Sequence, residues 1–195
     1  MKKLASLTIA LLFILSVNVL SQSDESGNNK TTVGLGLDLE LANFNTYPRF
    51  PPTNFVFSIK PTSSIKIEPG FGFYTDKSST DTDGEEDNYR RLRLGLGGYW
   101  IISAKDVSPY IGLYTDYTGL NYDYDNGTVN ESGYHFRIGP AVGLQYEIVE
   151  NFSIGGEFLL LYKREKHTTE LTDETHEHNA TGWTTVSRLS FRFYF

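Results

Sequence analysis

The chain has 195 residues, a formal net charge of −7, 13 Tyr, 13 Phe and no cysteine. Without a thiol it can have no disulfide framework, lipoprotein anchor or cysteine chemistry. The acidic balance argues against nucleic acid as a partner, because such a binder needs a basic face to displace phosphate counterions. Beyond the N-terminus no run approaches the ~18 apolar residues of a membrane helix, whereas frequent Gly and aromatics suit short alternating strands.

Lys2 and Lys3 precede an apolar run over residues 4–20, after which Ser21, Gln22 and Ser23 turn polar. Charged, apolar and small-residue regions in that order make a secretory signal peptide, residues 1–21, with cleavage expected after Ser21. A membrane anchor fits less well, since Ser6, Thr8, Ser16 and Asn18 interrupt the run and no basic stop-transfer flank follows. The expected mature protein, residues 22–195, is one domain of about 170 residues.

Eight segments then alternate apolar and polar side chains with period two, the signature of a strand with one apolar face. Residues 31–41 set Val33, Leu35, Leu37, Leu39 and Leu41 against Thr32, Gly34, Gly36, Asp38 and Glu40. In the second segment Phe55, Phe57 and Ile59 oppose Asn54, Ser58 and Lys60. In the third, Ile65, Ile67, Pro69, Phe71 and Phe73 oppose Lys66, Glu68, Gly70, Gly72 and Tyr74. The fourth turns Leu92, Leu94, Leu96, Trp100 and Ile102 away from Arg91, Arg93, Gly95, Gly97 and Tyr99, and the fifth turns Ile111, Leu113 and Tyr117 away from Tyr110, Gly112, Tyr114 and Asp116. Residues 134–148 set Phe136, Ile138, Val142, Leu144 and Tyr146 against His135, Arg137, Gly139, Gly143, Gln145 and Glu147. Residues 152–163 and 183–195 complete the set, although Leu159 and Leu161 break the alternation and leave the seventh register open. Pro69 and Pro140 each remove a ladder donor, which marks an edge or a bulge.

The connections alternate in length: 61–64, 103–108 and 149–151 are short, whereas 42–53, 76–88, 119–133 and 165–182 are long. Short periplasmic turns and long external loops are the pattern of an outer-membrane barrel, and an even strand number returns both ends to the periplasmic side. Asn126-Gly127 is a two-residue hairpin signal, so the fifth and sixth strands are expected to project beyond the membrane.

The polar faces carry Asp38, Glu40, Glu68, Asp116, Glu147 and Glu157 with Lys60, Lys66, Arg91, Arg93, Arg137, Lys163, Arg188 and Arg192. A soluble ligand-binding barrel is apolar inside, so charge opposite the apolar face reverses the assignment and puts lipid outside. Buried charges persist only when paired, which predicts a salt-bridged filling rather than an ion path. Tyr117, Tyr134, Tyr162 and Trp183 sit near the outer ends of apolar faces, and Trp100, Tyr146 and Phe152 near the inner ends, as expected of interface girdles.

The last seven residues, Leu189-Ser190-Phe191-Arg192-Phe193-Tyr194-Phe195, alternate up to a terminal aromatic. With these patterns the chain resembles the small eight-stranded outer-membrane barrels, the group of OmpX-like, OmpW-like and OmpA-barrel proteins. The most specific element is that family's C-terminal assembly signal: a polar residue, a Gly two positions later, and two alternate aromatics ending the chain. Arg188, Phe193 and Phe195 match, and Ser190 stands where the family usually has Gly. The resemblance implies an all-β, up-and-down antiparallel transmembrane barrel in the outer membrane of a Gram-negative-type bacterium. Its partners would be outer-membrane lipid and the barrel-insertion machinery, which would read Phe193 and Phe195, and a monomer is the working expectation.

His167, His176 and His178, with Glu174 and Glu177, fall in the last long connection. A His-x-His flanked by carboxylates could hold a transition metal, but a solvated loop is a poor scaffold for ligands, so neither metal nor cofactor is expected. His135 lacks a nucleophile at a workable spacing, and no enzyme is expected. Two roles stay open. One is structural or surface-interacting, with polar loops shown to an external partner that the sequence does not identify. The other is a narrow pore or path for small apolar molecules, as the OmpW-like resemblance implies, and a charged lumen favours the first. Replacing both Phe193 and Phe195 with Ala should lower the amount of protein recovered in outer membranes far more than replacing the inward-pointing Tyr194. Equal recovery of the two variants would show that these aromatics are not read as a signal.

Overall fold

The computed structural model describes residues 31–41, 53–79, 86–102, 106–123, 129–171 and 174–195. The expected signal segment and residues 42–52 of the first long connection lie outside them. Eight strands run in chain order: β1 Thr32–Glu40, β2 Thr53–Thr62, β3 Ile65–Ser79, β4 Glu86–Ile101, β5 Val107–Asp123, β6 Val129–Val149, β7 Phe152–Leu171 and β8 Thr175–Tyr194. Each pairs antiparallel with the next and β8 returns to β1, closing an up-and-down barrel. Leu35, for example, stands opposite Phe57 on one side and Phe193 on the other. Closure gives every wall strand two partners and leaves no edge to be desolvated in hydrocarbon.

The polarity of the wall is inverted relative to a soluble protein. Phe55, Phe73, Trp100, Leu113, Leu144, Phe158 and Trp183 are exposed on the outside, while Asp38, Glu40, Glu68, Arg93, Asp116 and Arg188 are buried inside. An apolar surface of this extent belongs in lipid. Trp183 and Phe193 stand ten residues apart on β8, the ~9–11 residues that a tilted strand takes to cross a bilayer.

The ladders settle the seventh register. Phe158, Leu160 and Tyr162 point to lipid, whereas Leu159 and Leu161 point inward and pack, fully buried, with Ala141 and Val186. The broken alternation is therefore an apolar layer of the lumen and not a slip. Pro69 and Pro140 are neither edges nor register shifts. Pro69 pairs with Leu96 and Pro140 with Leu113, and each lacks a partner only on its other side, across which the register stays in phase. The shifts fall instead next to short turns, between Ile59 and Thr62 and between Glu147 and Val149.

The expected loop over 165–182 is mostly strand. β7 and β8 stay paired from Phe152 opposite Phe193 to Glu170 opposite Thr175, and residues 172–173 lie outside the described residues. β5 and β6 likewise remain paired up to Asp123 and Asn130, and β3 and β4 up to Ser79 and Glu86. Above the membrane both faces of a sheet meet water, so apolar alternation ends although the ladder continues. Of this end, residues 80–85 and 124–128, with the Asn126-Gly127 signal, lie outside the described residues.

The inward placement of Leu161 has a measurable consequence. Leu161→Ala should cost about 2–5 kcal/mol in urea unfolding of the refolded protein, the range for a buried Leu left as a cavity. Lipid-facing Leu160→Ala should cost clearly less. The reverse order would place the wrong face of β7 inside.

Candidate functional site

Among the described residues ten charged side chains are buried in the lumen, five basic (Lys66, Arg93, Arg137, Arg188, Arg192) and five acidic (Asp38, Glu40, Glu68, Asp116, Glu157). They come from seven of the eight strands, because each inward position of a narrow barrel meets side chains from across the bore as well as from its neighbours. Two knots form. Nearer the long connections, Arg93 bridges Glu40 and Asp116, with Nη2 donating to Asp116 Oδ2 at 2.8 Å. Arg137 clamps the same pair: Nε donates to Asp116 Oδ1 at 3.0 Å, and Nη2 to Asp116 Oδ2 at 2.8 Å and Glu40 Oε1 at 3.1 Å. Two guanidiniums thus neutralise two carboxylates.

In the second knot Arg192 presents its planar fork to Glu68, with Nε to Oε1 at 2.8 Å and Nη2 to Oε2 at 2.9 Å, while its Nη1 lies 2.7 Å from Asp38 Oδ1. Arg188 Nη1 donates to Asp38 Oδ2 at 3.0 Å and lies 3.4 Å from Glu157. Lys66 Nζ is 3.5 Å from Glu68. Bidentate geometry is what makes such pairs strong enough to offset desolvation.

Tyrosines complete the filling. Lys66 Nζ lies 4.6 Å from the Tyr99 ring centre and 4.1 Å from that of Tyr110, and the Arg188 guanidinium lies 4.1 Å from that of Tyr114. These rings fit because inward glycines leave the wall bare. A Cβ on Gly95 would meet the Tyr114 hydroxyl, and one on Gly143 the Tyr110 ring. Alternation alone marks these tyrosines as inward residues but gives them no part in the charge cluster. The usable signal was an inward Gly beside an inward Tyr on the next strand. A cavity of about 10 Å³ remains, bordered by Asp38, Asn54, Glu68, Tyr99, Tyr114 and Arg188. Asn54 Nδ2 and two Arg188 guanidinium nitrogens have no protein hydrogen-bond partner, so one bridging water suits both the size and the chemistry.

The other four expected lumen charges stand towards the mouths. Lys60 lies 3.8 Å from Glu147 at the short-turn end, and Lys163 lies 2.7 Å from Glu165 towards the other end, where Arg91 is half-buried. Burial raises the Glu165 carboxyl, but the Lys163 hydrogen bond and charge outweigh it and hold the group below its usual range. The aromatics form two levels. Tyr117 stacks on Tyr134 at 5.8 Å and Tyr162 meets Trp183 edge to face at 5.7 Å near the long-connection end. Trp100, Tyr146 and Phe152 lie towards the short turns, where Phe152 pairs with Phe193 and Phe193 packs on Phe195 at 5.4 Å. Arg188 is buried, and Phe193 and Phe195 face outward.

The histidines are not in a loop. His167 is on β7, His176 and His178 are on β8, and His167 stands directly opposite His178. His135, on β6, has Nε2 at 3.9 Å from Asp116 Oδ1, a carboxylate already held by Arg93 and Arg137.

The family model described as outer membrane protein beta-barrel domain matches residues 7–191. Among solved structures the chain is similar to a major outer membrane protein from Thermus thermophilus, at 14% identity over 85% of this chain and 98% of that one, TM-score 0.49. It is also similar to Ail, the attachment invasion locus protein of Yersinia pestis, at 13% identity over 86% and 99%, TM-score 0.48. A third is outer membrane protein W of E. coli, at 14% identity over 88% and 100%, TM-score 0.48. No curated protein matches the sequence.

The neutral knot makes the cost of unbalancing it predictable. Asp116→Ala leaves Arg93 and Arg137 facing Glu40 alone and should destabilise the refolded barrel by about 3–5 kcal/mol in urea. Adding Arg137→Met restores neutrality, so the double variant should lose less than the sum of the single losses. Additive losses would mean that the two side chains are not coupled.

Proposed function

The chain belongs to the outer membrane protein β-barrel family, and we propose that it acts there as a closed, non-enzymatic scaffold that presents its external strands and connections to partners outside the cell. The observation that carries this reading is the filled lumen: ten balanced buried charges, three tyrosine rings and a cavity of about 10 Å³. A conduit of solute size has no room in such a bore, whereas aqueous pores need about sixteen strands. A path for small apolar molecules would need a continuous apolar lane. The apolar layer of Leu159, Leu161 and Val186 is itself buried, and Glu157 and Lys163 flank it along β7.

The external half supports the same reading. β5 to β8 run for 17 to 21 residues each, well beyond the ~10 that lipid requires. The excess forms a polar sheet standing clear of the membrane, a rigid platform of the kind that positions binding residues. The aromatic levels would anchor the barrel at the two interfaces, with Arg188, Phe193 and Phe195 available to the insertion machinery in the nascent chain.

Refolded protein in planar lipid bilayers should show small unitary currents or none. Large, long-lived, weakly selective openings would overturn the closed-scaffold reading.

A further inference from the structure

All four histidines of the chain fall on one face of one sheet. His176 and His178 are two residues apart on β8 and so point the same way. His167 is the ladder partner of His178 across β7, which sets their Cβ atoms about 4.5–5.5 Å apart. His135 shares the face one pair lower, opposite Glu165. This is the face that lines the lumen further down, continued above the membrane. His178 and His167 each lie five residues beyond the Trp183–Tyr162 pair, at the rim and clear of lipid. His176 and His178 are exposed and His167 is half-buried.

We propose that His167, His176 and His178 form a binding site for a divalent transition metal ion of the zinc, nickel and copper class. Imidazole suits these ions, whereas calcium and magnesium require oxygen donors. Three nitrogen donors with the fourth position open is also an arrangement that zinc accepts. The placement removes the objection that loop histidines lack a scaffold, because two paired strands fix all three Cα positions. Two surroundings favour ligation. His176 Nε2 lies 3.2 Å from Glu174 Oε2, which can orient the ring through one nitrogen while the other binds. His167 leans over Gly133, its Nδ1 3.0 Å from where a Cβ would stand, so the bare glycine leaves the ring space to lie on the sheet. As they stand, no three such side chains converge on one point among the described residues. Convergence needs only χ1 turns between staggered wells at a solvent-facing rim.

The test uses the full mature chain without an affinity tag, refolded in detergent and titrated with Zn²⁺ by calorimetry and with Cu²⁺ by electron paramagnetic resonance. One saturable equivalent is expected, with nitrogen superhyperfine splitting from Cu²⁺. His167→Ala and His178→Ala should each weaken Zn²⁺ at least ~10-fold, the loss expected when metal-site residues are removed, and His135→Ala should leave it unchanged. All three variants should keep the heat-modifiable gel mobility of the folded barrel, since His167 and His178 lie beyond the lipid-spanning wall and Asp116, the carboxylate near His135, stays held by Arg93 and Arg137. Absence of a saturable site overturns the proposal, as does unchanged affinity in the His167→Ala/His178→Ala double variant, or equal weakening by His135→Ala.

Discussion

Hydrocarbon offers no hydrogen bonds, and the rest of this molecule follows from that constraint. A sheet placed in lipid must pair every strand on both sides, and with eight strands the ring that results is too narrow for anything but side chains. The apolar faces must then turn outward, and the inward positions receive everything polar. Asp38, Glu40, Glu68, Asp116 and Glu157 are inside because Leu37, Leu39, Ile67, Tyr117 and Phe158 are outside, one residue along the same strands.

Charges forced inward have to be matched. The balance of five against five is reached by geometry as much as by number: the guanidinium forks of Arg137 and Arg192 each meet a carboxylate with two nitrogens. Glycine is the counterpart of these long side chains. Gly36 leaves room for Arg192, Gly95 for Tyr114 and Gly143 for Tyr110, so a smooth inner wall and a dense filling are two sides of one solution. Removing a single carboxylate disturbs a whole knot, since Asp116 and Glu40 are both shared between two arginines.

The sequence showed the wall better than the rim. Where a strand crosses lipid, period-two alternation marks its face and its register, as in the run from Leu189 to Phe195. Where it leaves lipid, the signal vanishes. Thr168, Thr169 and Glu170 read as loop because neither face is apolar, yet they pair with Glu177, His176 and Thr175. Alternation thus reports the thickness of the membrane and not the length of the strand. Leu159 and Leu161 failed for a different reason: one apolar layer of the lumen interrupts the code from the inside. The identities of the charge partners were also hidden, because Glu40 and Arg137 are 97 residues apart and meet only across the closed bore.

On the proposed reading, a closed lumen and a tall polar rim divide the molecule by function, with the wall serving as anchor and filler and the rim as the part that meets the outside. The seal between them is open to direct test, since the chain has no native cysteine. Ser58 and Thr118 are wholly buried at inward positions, whereas Glu147 keeps 44% of its side chain exposed at the mouth. With Cys placed singly at these positions, a sealed lumen predicts rapid modification by a water-soluble thiol reagent at position 147 and none at 58 or 118 in the folded barrel. Rapid modification at all three would contradict a filled bore.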